Sequence, residues 1–363
     1  MGSSERQVSV VVTPRERFST TPRTLERLFE TVPDDIPMIV VDGGAPRSVL
    51  DGIETLRKQR DFKLITSPHV VLPSEARNIG YRATDTEFVV FVDNDVIVED
   101  GWLEAMLDGA VGHSADVVTP LICVGPPIGE TIHHAGGLLK AWHHEKGIVL
   151  NETNRLMDQP FSEFDEAAAP VYAEVCEFHT VLIRRSLIDR MGGFAEGLNT
   201  REHLDFCMRC AVLGARVVFE RRAVVTYLRE ADFSAGDLPY HLYRWSNKVT
   251  NRSIRNFETT WNVLVPKRHL RVDWIGNHRR RAIEQAYPRL KRFLGDWLFD
   301  LLVARRLEKS IVRREEKRRK NREPNRPAAF DREKADAIVR KVLDRPDPFV
   351  PDAQTRLAHG FHA

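Results

Sequence analysis

The sequence predicts an α/β protein with a mainly parallel sheet, flanking helices and a helical, basic C-terminal extension. Up to about residue 225, short apolar runs alternate with helical patterns at the spacing of βαβ units. Beyond that point the strand pattern fades and helical patterns dominate. The chain has 363 residues, 42% of them hydrophobic and 29% charged, which is enough for one large core or two modest ones.

Short apolar runs predict the strands of the first half. They are VSVVV (8–12), PMIVVDGG (37–44), FKLITS (62–67), FVVFV (88–92) and ADVVTPLI (115–122). The segments between them have helical patterns, which are TPRTLERLFETV (21–32), PSEARNIGYRAT (73–84) and GWLEAMLDGAV (101–111). Pro22 suits the first turn of its helix because that position needs no backbone N–H donor.

Aspartates stand where two of these strands end. Asp42 closes the second strand, and Asp93 and Asp95 follow FVVFV. Ligands of open α/β sheets bind outside the carboxyl ends of the strands. Side chains two residues apart point the same way while strand geometry persists. Two carboxylates at one point repel each other and favour a bound Mg²⁺ or Mn²⁺.

The second half of the chain is strongly basic over one stretch. From Arg305 to Arg326 there are 11 Lys or Arg and 4 Glu. The apolar segment FLGDWLFDLL (293–302) precedes it. This order is typical either of a solvated helix face or of a helix on an anionic membrane surface, and it predicts peripheral membrane contact through 293–326.

The expected organisation has three parts. An α/β domain spans 1–230 and a helical extension spans 231–325. A Pro-rich, loosely structured tail spans 326–363, with one short helix near 331–343.

Composition and targeting signals favour a cytoplasmic protein, with association at a membrane as the alternative. The N-terminus has no long apolar signal region, and no stretch reaches the roughly 18 apolar residues of a transmembrane helix. Four cysteines do not suggest a disulfide framework. The net charge of +2 gives no general preference for an anionic partner, and no nucleic-acid partner is expected.

Six motifs, in this order, resemble those of family 2 glycosyltransferases, whose GT-A fold is Rossmann-like. They are VSVVV, IVVDGG, EARNIG (75–80), VFVDND, VLIRRSLIDRMGGFAE (181–196) and REHLDFCMRC (201–210). The resemblance covers roughly residues 8–230. VFVDND corresponds to the DxD motif of that family.

The resemblance implies a nucleoside-diphosphate sugar donor, with UDP as the default nucleotide and GDP or dTDP as alternatives. Asp42, Arg77 and Asp93 would bind the donor nucleotide, and Asp93 and Asp95 would hold Mn²⁺ or Mg²⁺. A divalent cation suits this chemistry because it offsets the negative charge of the departing diphosphate. The acceptor is expected to be a carbohydrate or a lipid-linked molecule, whose hydroxyl attacks the donor sugar and displaces the nucleoside diphosphate directly, with inversion.

The sequence departs from the family at two places. Where the family has Glu-Asp, this chain has Glu202-His203, so the catalytic base is His203, Glu202 or Asp205. The family's later metal-binding histidine is replaced by Tyr227 in AVVTY, and His241 in YHLYRW is the candidate third metal ligand.

Other functions compete with this interpretation. A degenerate GT-A domain would act as a binding or assembly module, although both aspartates of the motif survive. A nucleotidyltransferase would need a glycine-rich basic loop after the first strand, and TPRERFSTTP has no glycine. A phosphatase of the haloacid-dehalogenase type is disfavoured because its nucleophile motif lies near its first strand.

Overall fold

The computed structural model describes residues 7–125, 129–167, 171–228, 233–266 and 275–345. The first half contains β1 (Val8–Thr13), α1 (Thr21–Thr31), β2 (Met38–Val41), α2 (Arg47–Leu56), β3 (Lys63–Ile65), α3 (Pro73–Arg82), β4 (Phe88–Asp93), β5 (Val96–Val98) and α4 (Trp102–Gly112). Next come β6 (Val117–Gly125), β7 (Thr131–His134), β8 (Gly137–His144), β9 (Gly147–Asn154), β10 (Thr180–Arg184), α5 (Arg185–Met191), α6 (Glu202–Leu213) and β11 (Val217–Leu228).

The C-terminal part is helical, as predicted. It contains α7 (Leu238–Arg244), α8 (Asn247–Trp261), α9 (Asn277–Ala286), α10 (Pro288–Phe299), α11 (Arg305–Arg318) and α12 (Arg332–Leu343). A π-helical turn, Asp300–Ala304, joins α10 to α11. Gly295 interrupts α10 with a φ of 71°, a left-handed conformation that glycine adopts without a steric penalty.

The main sheet of the described chain has the strand order β3-β2-β1-β4-β10-β6-β11-β5, with β7 paired to β6. β3, β2, β1 and β4 are mutually parallel, and β6 and β11 are parallel to each other. β10 lies between the two groups and is antiparallel to β4 and to β6. Both groups therefore run in the same direction, which confirms the predicted mainly parallel α/β sheet. The hairpin β8-β9 was not predicted.

β-Branched residues at the centre of the sheet explain why it forms. All six residues of β1 are buried, and Val10 and Val11 point to opposite faces. One face packs on a core that contains Val11 and Phe91, and the other on a core that contains Val10 and Val90. This central placement fixes the carboxyl ends of β1 and β4 beside each other, in the register Thr13 to Asp93.

The last described segment packs on the domain. Ala335, Val339 and Val342 of α12 are buried in the same core as Val11. Arg345 pairs with Glu174 at 2.7 Å. The division into three parts stays a prediction, and residues 346–363 of the expected tail lie outside the described residues. Among the helices described, none is long and apolar enough to cross a membrane.

Candidate active site

Asp93 ends β4 with a completely buried side chain. Thr13 donates a hydrogen bond of 3.1 Å to its Oδ1, and Arg77 approaches the same oxygen at 3.4 Å. Nη1 of Arg15 and Nδ1 of His179 lie 3.3 and 3.4 Å from Oδ2. Burial opposes the carboxylate charge, but Arg15, His179 and Arg77 outweigh it and lower the pKa of Asp93.

Asp95 is equally buried, but few donors or cations lie near its carboxylate. Neither carboxylate oxygen has a hydrogen-bond partner among the described residues, and Nη1 of Arg17 lies 3.9 Å from Oδ2. Burial and the charge of Asp93 raise the pKa of Asp95 to about 7. A buried carboxylate without donors is costly unless a cation or a proton binds it.

Asn94 fixes the loop that carries the arginines. Its Oδ1 accepts a hydrogen bond of 2.7 Å from the backbone N–H of Arg15. Its Nδ2 donates to the carbonyl oxygen of Arg17 at 3.1 Å and to Oγ1 of Thr21 at 2.8 Å. The middle residue of the Asp-Asn-Asp motif thus holds both arginines beside the two carboxylates.

A histidine completes the cluster around the aspartates. Asp93, Asp95 and His179 each offer a ligand atom, and these atoms lie within 4.8 Å of one another. Burial, with the charge of Arg15, lowers the pKa of His179 to about 4, so its imidazole is neutral at neutral pH. The ring stacks on Tyr227, with 4.2 Å between the ring centroids.

The predicted third metal ligand lies elsewhere. His241 on α7 is buried, and its Nδ1 lies 3.9 Å from a carboxylate oxygen of Glu16. Burial lowers the pKa of His241 to about 3. Among the described residues, His179 and not His241 joins the two aspartates within ligand distance.

The predicted donor-binding residues flank the same edge of the sheet. Asp42 accepts hydrogen bonds from the backbone N–H groups of Gly44 (3.0 Å) and Ala45 (2.7 Å), and burial raises its pKa. It lines a narrow cavity together with Asn94. Arg77 is fully buried on the ring of Phe178, 4.1 Å from its centroid.

Glu202 begins α6 and belongs to a charged network with the loop after β1. Nη2 of Arg244 lies 3.5 Å from Oε1 of Glu202, and its Nη1 lies 3.9 Å from Glu16. Nε1 of Trp245 donates a 2.9 Å hydrogen bond to Glu16. Although burial opposes its charge, Arg244 and other nearby cations lower the pKa of Glu202, so this carboxylate is ionised at neutral pH.

His203 is held by two glutamates. Its Nε2 lies 2.9 Å from Oε2 of Glu152 on β9 and 3.9 Å from Oε1 of Glu177. Burial opposes the charge of the imidazolium, but Glu152 and Glu177 outweigh it and raise the pKa of His203 to about 10. The ring is therefore protonated at neutral pH and has no lone pair with which to accept a proton.

Asp205 points to a different part of the molecule. Its carboxylate accepts hydrogen bonds of 2.9 Å from Nε of Arg209 and of 2.9 Å from Nε1 of Trp261. It lines a cavity of about 820 Å³ together with Arg252. Its carboxylate is thus engaged by Arg209 and Trp261, whereas the residues found against Asp93 are Thr13, Arg15, Arg77 and His179.

Part of this chain is similar to known proteins. Residues 9–166, less than half of the chain, match the family model described as Glycosyl transferase family 2. This part of the chain resembles that family. The chain is also 30% identical over 228 residues to the pre-mycofactocin glycosyltransferase of two strains of Mycobacterium tuberculosis, CDC 1551 / Oshkosh and H37Rv. That match covers 62% of this chain, and the chain spans less than half of those relatives, 43%.

Two solved structures are similar to this chain at low sequence identity. GalNAc-T7 with UDP, GalNAc and Mn²⁺ has a TM-score of 0.49 at 14% identity, covering 82% of this chain and 59% of that one. The mannosyltransferase PcManGT of Pyrobaculum calidifontis, in complex with GDP-Man and Mn²⁺, has a TM-score of 0.47 at 13% identity. The match covers 94% of this chain and 88% of that one. The family assignment rests on the sequence matches and the fold on the strand topology of this chain.

The matches confirm the predicted family and support the predicted enzyme class, a glycosyltransferase. The mainly parallel sheet with its helical C-terminal region is the predicted form of the family 2 fold.

Several residues of the candidate site were not predicted from the sequence. His179 was not singled out, because it lies in an irregular segment before β10 and only the pairing of β10 with β4 brings it to Asp93. Glu177 lies in the same irregular segment, whereas Glu152 is on β9 of the hairpin that was not predicted. The loop that carries Arg15 and Arg17 did give a signal, its basic composition, which was weighed only against a nucleotidyltransferase.

Proposed function

We propose that this chain transfers a sugar from a nucleoside-diphosphate sugar to an acceptor hydroxyl, by direct displacement with inversion. The observation that carries the proposal is that carboxylates and guanidinium groups lie together at one edge of the sheet. Asp93 and Asp95 can hold a cation, and three guanidinium groups surround them, those of the buried Arg17 and Arg77 and of the partly buried Arg15. A diphosphate paired with a divalent cation needs both kinds of group.

Asp93, Asp95 and His179 suit a divalent metal ion. The carboxylate oxygens of Asp95 have no hydrogen-bond donor in the described chain, and His179 is neutral. Two carboxylates and an imidazole are a donor set that Mn²⁺ accepts well, and Mg²⁺ would bind chiefly through the carboxylates. When bound, the ion would neutralise charge on the diphosphate leaving group. His179 takes the role that the sequence suggested for His241.

The arginines have the right chemistry for the diphosphate. A guanidinium presents several N–H donors in a plane and can bind phosphate oxygens in pairs. Nε of Arg15 and both Nε and Nη1 of Arg77 are buried without a hydrogen-bond partner in the described residues. Donors left in this state are available to a polyanionic ligand. Asp42 would bind the nucleoside, and a UDP-sugar is the first donor to test, with GDP and dTDP sugars as alternatives.

Glu202 is the residue that we assign as the catalytic base. It is ionised and buried, and it contacts Arg244 at the edge of the cluster. His203 stays protonated, and the carboxylate of Asp205 accepts hydrogen bonds from Arg209 and Trp261. A carboxylate in this setting can accept the proton of the acceptor hydroxyl as the oxygen attacks the anomeric carbon. The buried surroundings keep water away from the reacting atoms.

The acceptor is proposed to be a carbohydrate or a lipid-linked molecule. Contact with a membrane through residues 293–326 belongs to the same proposal, because a lipid-linked acceptor must be met at a bilayer surface.

Glu202→Gln separates donor binding from catalysis. The variant should bind the nucleoside diphosphate with Mn²⁺ within about twofold of the wild type, because the amide keeps the size of the side chain, but lose at least about a hundredfold in transfer or donor hydrolysis. Glu196→Gln is the matched control, since Glu196 is a buried glutamate that pairs with Arg322 outside the site. Full activity of Glu202→Gln would exclude Glu202 as the base. Absence of nucleotide binding by the wild type would favour a degenerate module.

A further inference from the structure

Six large apolar side chains are exposed along the segment 290–302. They form what we call the apolar ridge: Leu290, Phe293, Trp297, Leu298, Leu301 and Leu302. Phe293 is 85% exposed and Trp297 is 73% exposed. Elsewhere in the described chain, the exposed large hydrophobic residues are Val111, Trp142, Leu156, Met157 and Tyr172. A concentration of apolar surface on one short segment indicates an interaction site.

The segment that carries the ridge is anchored to the protein. Phe299, Ala304 and Ile311 lie on the inner side of the same helical segment and are buried in a core with Tyr243 and Ile283. The ridge is therefore the outer side of a packed helical segment, which Gly295 divides into two pieces. The ridge is exposed because the opposite side of this segment packs on the core.

Basic residues continue the same outer face. Trp297, Leu301 and Arg305 are exposed in succession before, within and after the π-helical turn. Beyond them the exposed residues of α11 include a long basic series, which consists of Arg305, Arg306, Lys309, Arg313, Arg314, Lys317 and Arg318. Arg289 and Arg292 are exposed at the other end of the ridge.

The acidic residues of α11 are turned toward the protein. Glu315 is buried and accepts a hydrogen bond from the backbone N–H of Val70, at 3.3 Å. Glu316 accepts a hydrogen bond of 3.1 Å from the hydroxyl of Tyr243. Glu308 pairs with Arg279 at 3.1 Å. The helix therefore segregates its charges, and its outer face is positive next to an apolar ridge.

We propose that the apolar ridge and the basic face of α11 form a docking surface for an anionic lipid bilayer. Trp, Phe and Leu side chains enter the boundary between headgroups and acyl chains, and Lys and Arg side chains bind anionic headgroups. A nucleic acid would use the basic face but would leave the leucines of the ridge exposed. The docking surface itself is independent of catalysis, and only its use to reach a lipid-linked acceptor rests on the proposed function.

Sedimentation of the full chain with vesicles tests the proposal. One set of vesicles contains phosphatidylcholine alone, and the other contains phosphatidylcholine with phosphatidylglycerol. We expect binding to the anionic vesicles at least about tenfold tighter than to the neutral ones, and weakened by salt. Phe293→Ser combined with Trp297→Ser should weaken it at least about tenfold. Val111→Ser, an exposed apolar position on α4, should leave it unchanged.

The size of the protein in solution, measured for the same variants, separates the alternatives. Wild type that binds neither kind of vesicle would overturn the proposal. So would a dimer that the Phe293→Ser and Trp297→Ser changes convert to a monomer without any effect on vesicles, since the ridge would then be an interface between copies. Nucleotide binding is measured in parallel, so that failure of the docking surface and failure of the donor site are seen separately.

Discussion

Nη1 of Arg15 lies 3.3 Å from Oδ2 of Asp93, one of the two carboxylates proposed to hold a metal ion. Arg17 stands in a similar relation to Asp95, at 3.9 Å. A bound metal ion would therefore compete with an arginine for the same carboxylate, and a bound diphosphate would compete with a carboxylate for the same arginine. A cation on the carboxylates would leave guanidinium groups available to the phosphates, so each ligand would favour binding of the other.

Arg15→Gln tests this exchange. Without the guanidinium, Mn²⁺ alone should bind several-fold more tightly, because a nearby positive charge is removed. The nucleoside diphosphate with Mn²⁺ should bind at least about tenfold more weakly, because a phosphate donor is lost. Titration calorimetry and the electron paramagnetic resonance signal of free Mn²⁺ measure the two affinities. Arg15→Lys should lie between wild type and Arg15→Gln. Equal affinities for Mn²⁺ alone in all three proteins would contradict the exchange.

Asp95→Asn should stabilise the protein in metal-free buffer at pH 8. Burial and Asp93 raise the pKa of Asp95 to about 7, above the value of about 3.9 in an unfolded chain. The charge on Asp95 therefore costs stability progressively as the pH rises from about 4 to about 7, and the cost is full above pH 7. Thermal unfolding of wild type and variant from pH 5 to pH 8 should show a gain for the variant that grows with pH. A loss of stability at pH 8 would contradict this.

Asp205→Asn should destabilise the protein, in contrast to Asp95→Asn. Asp205 accepts hydrogen bonds from Arg209 and Trp261, and weakening a buried, charge-assisted bond costs about 1–3 kcal/mol. The melting temperature should therefore fall, while the affinity for nucleoside diphosphate with Mn²⁺ should change by less than about twofold. Calorimetric titration below the melting temperature checks both. If the variant folds but no longer binds the nucleotide, Asp205 belongs to the nucleotide-binding site and the prediction is wrong.

His203→Gln should cost most stability in acid and least in alkali. Glu152 and Glu177 raise the pKa of His203 to about 10, against about 6.5 in an unfolded chain. Stabilisation by the protonated ring is complete below about pH 6.5 and is lost as the pH rises through about 10. The difference in melting temperature between wild type and variant should shrink steadily between these values. A difference independent of pH would mean that the ring is neutral in the folded protein.

The sequence was informative where local pattern decides the structure. β1 and β4 are buried along their whole length, so continuous runs of Val and Phe marked them, and Asp93 followed at a strand end. His179 could not be found in this way, since its place depends on a crossover that inserts β10 between β4 and β6.

The C-terminal segment shows what local pattern leaves open. Its helical spacing predicted a short helix near 331–343, and α12 lies there. The proline-rich flanks suggested loose attachment, but Ala335, Val339 and Val342 are buried. The core on which α12 packs is formed by residues far away in the chain, so local pattern could not predict this packing.

The most direct test of the central claim is calorimetric titration of UDP, GDP and dTDP, each with and without Mn²⁺, into wild type and Asp95→Asn. The account predicts that one of the three nucleotides binds the wild type only with Mn²⁺, or at least about tenfold more tightly with it, and that Asp95→Asn abolishes this gain. Binding of none of them, or a gain from Mn²⁺ that survives in Asp95→Asn, would contradict it.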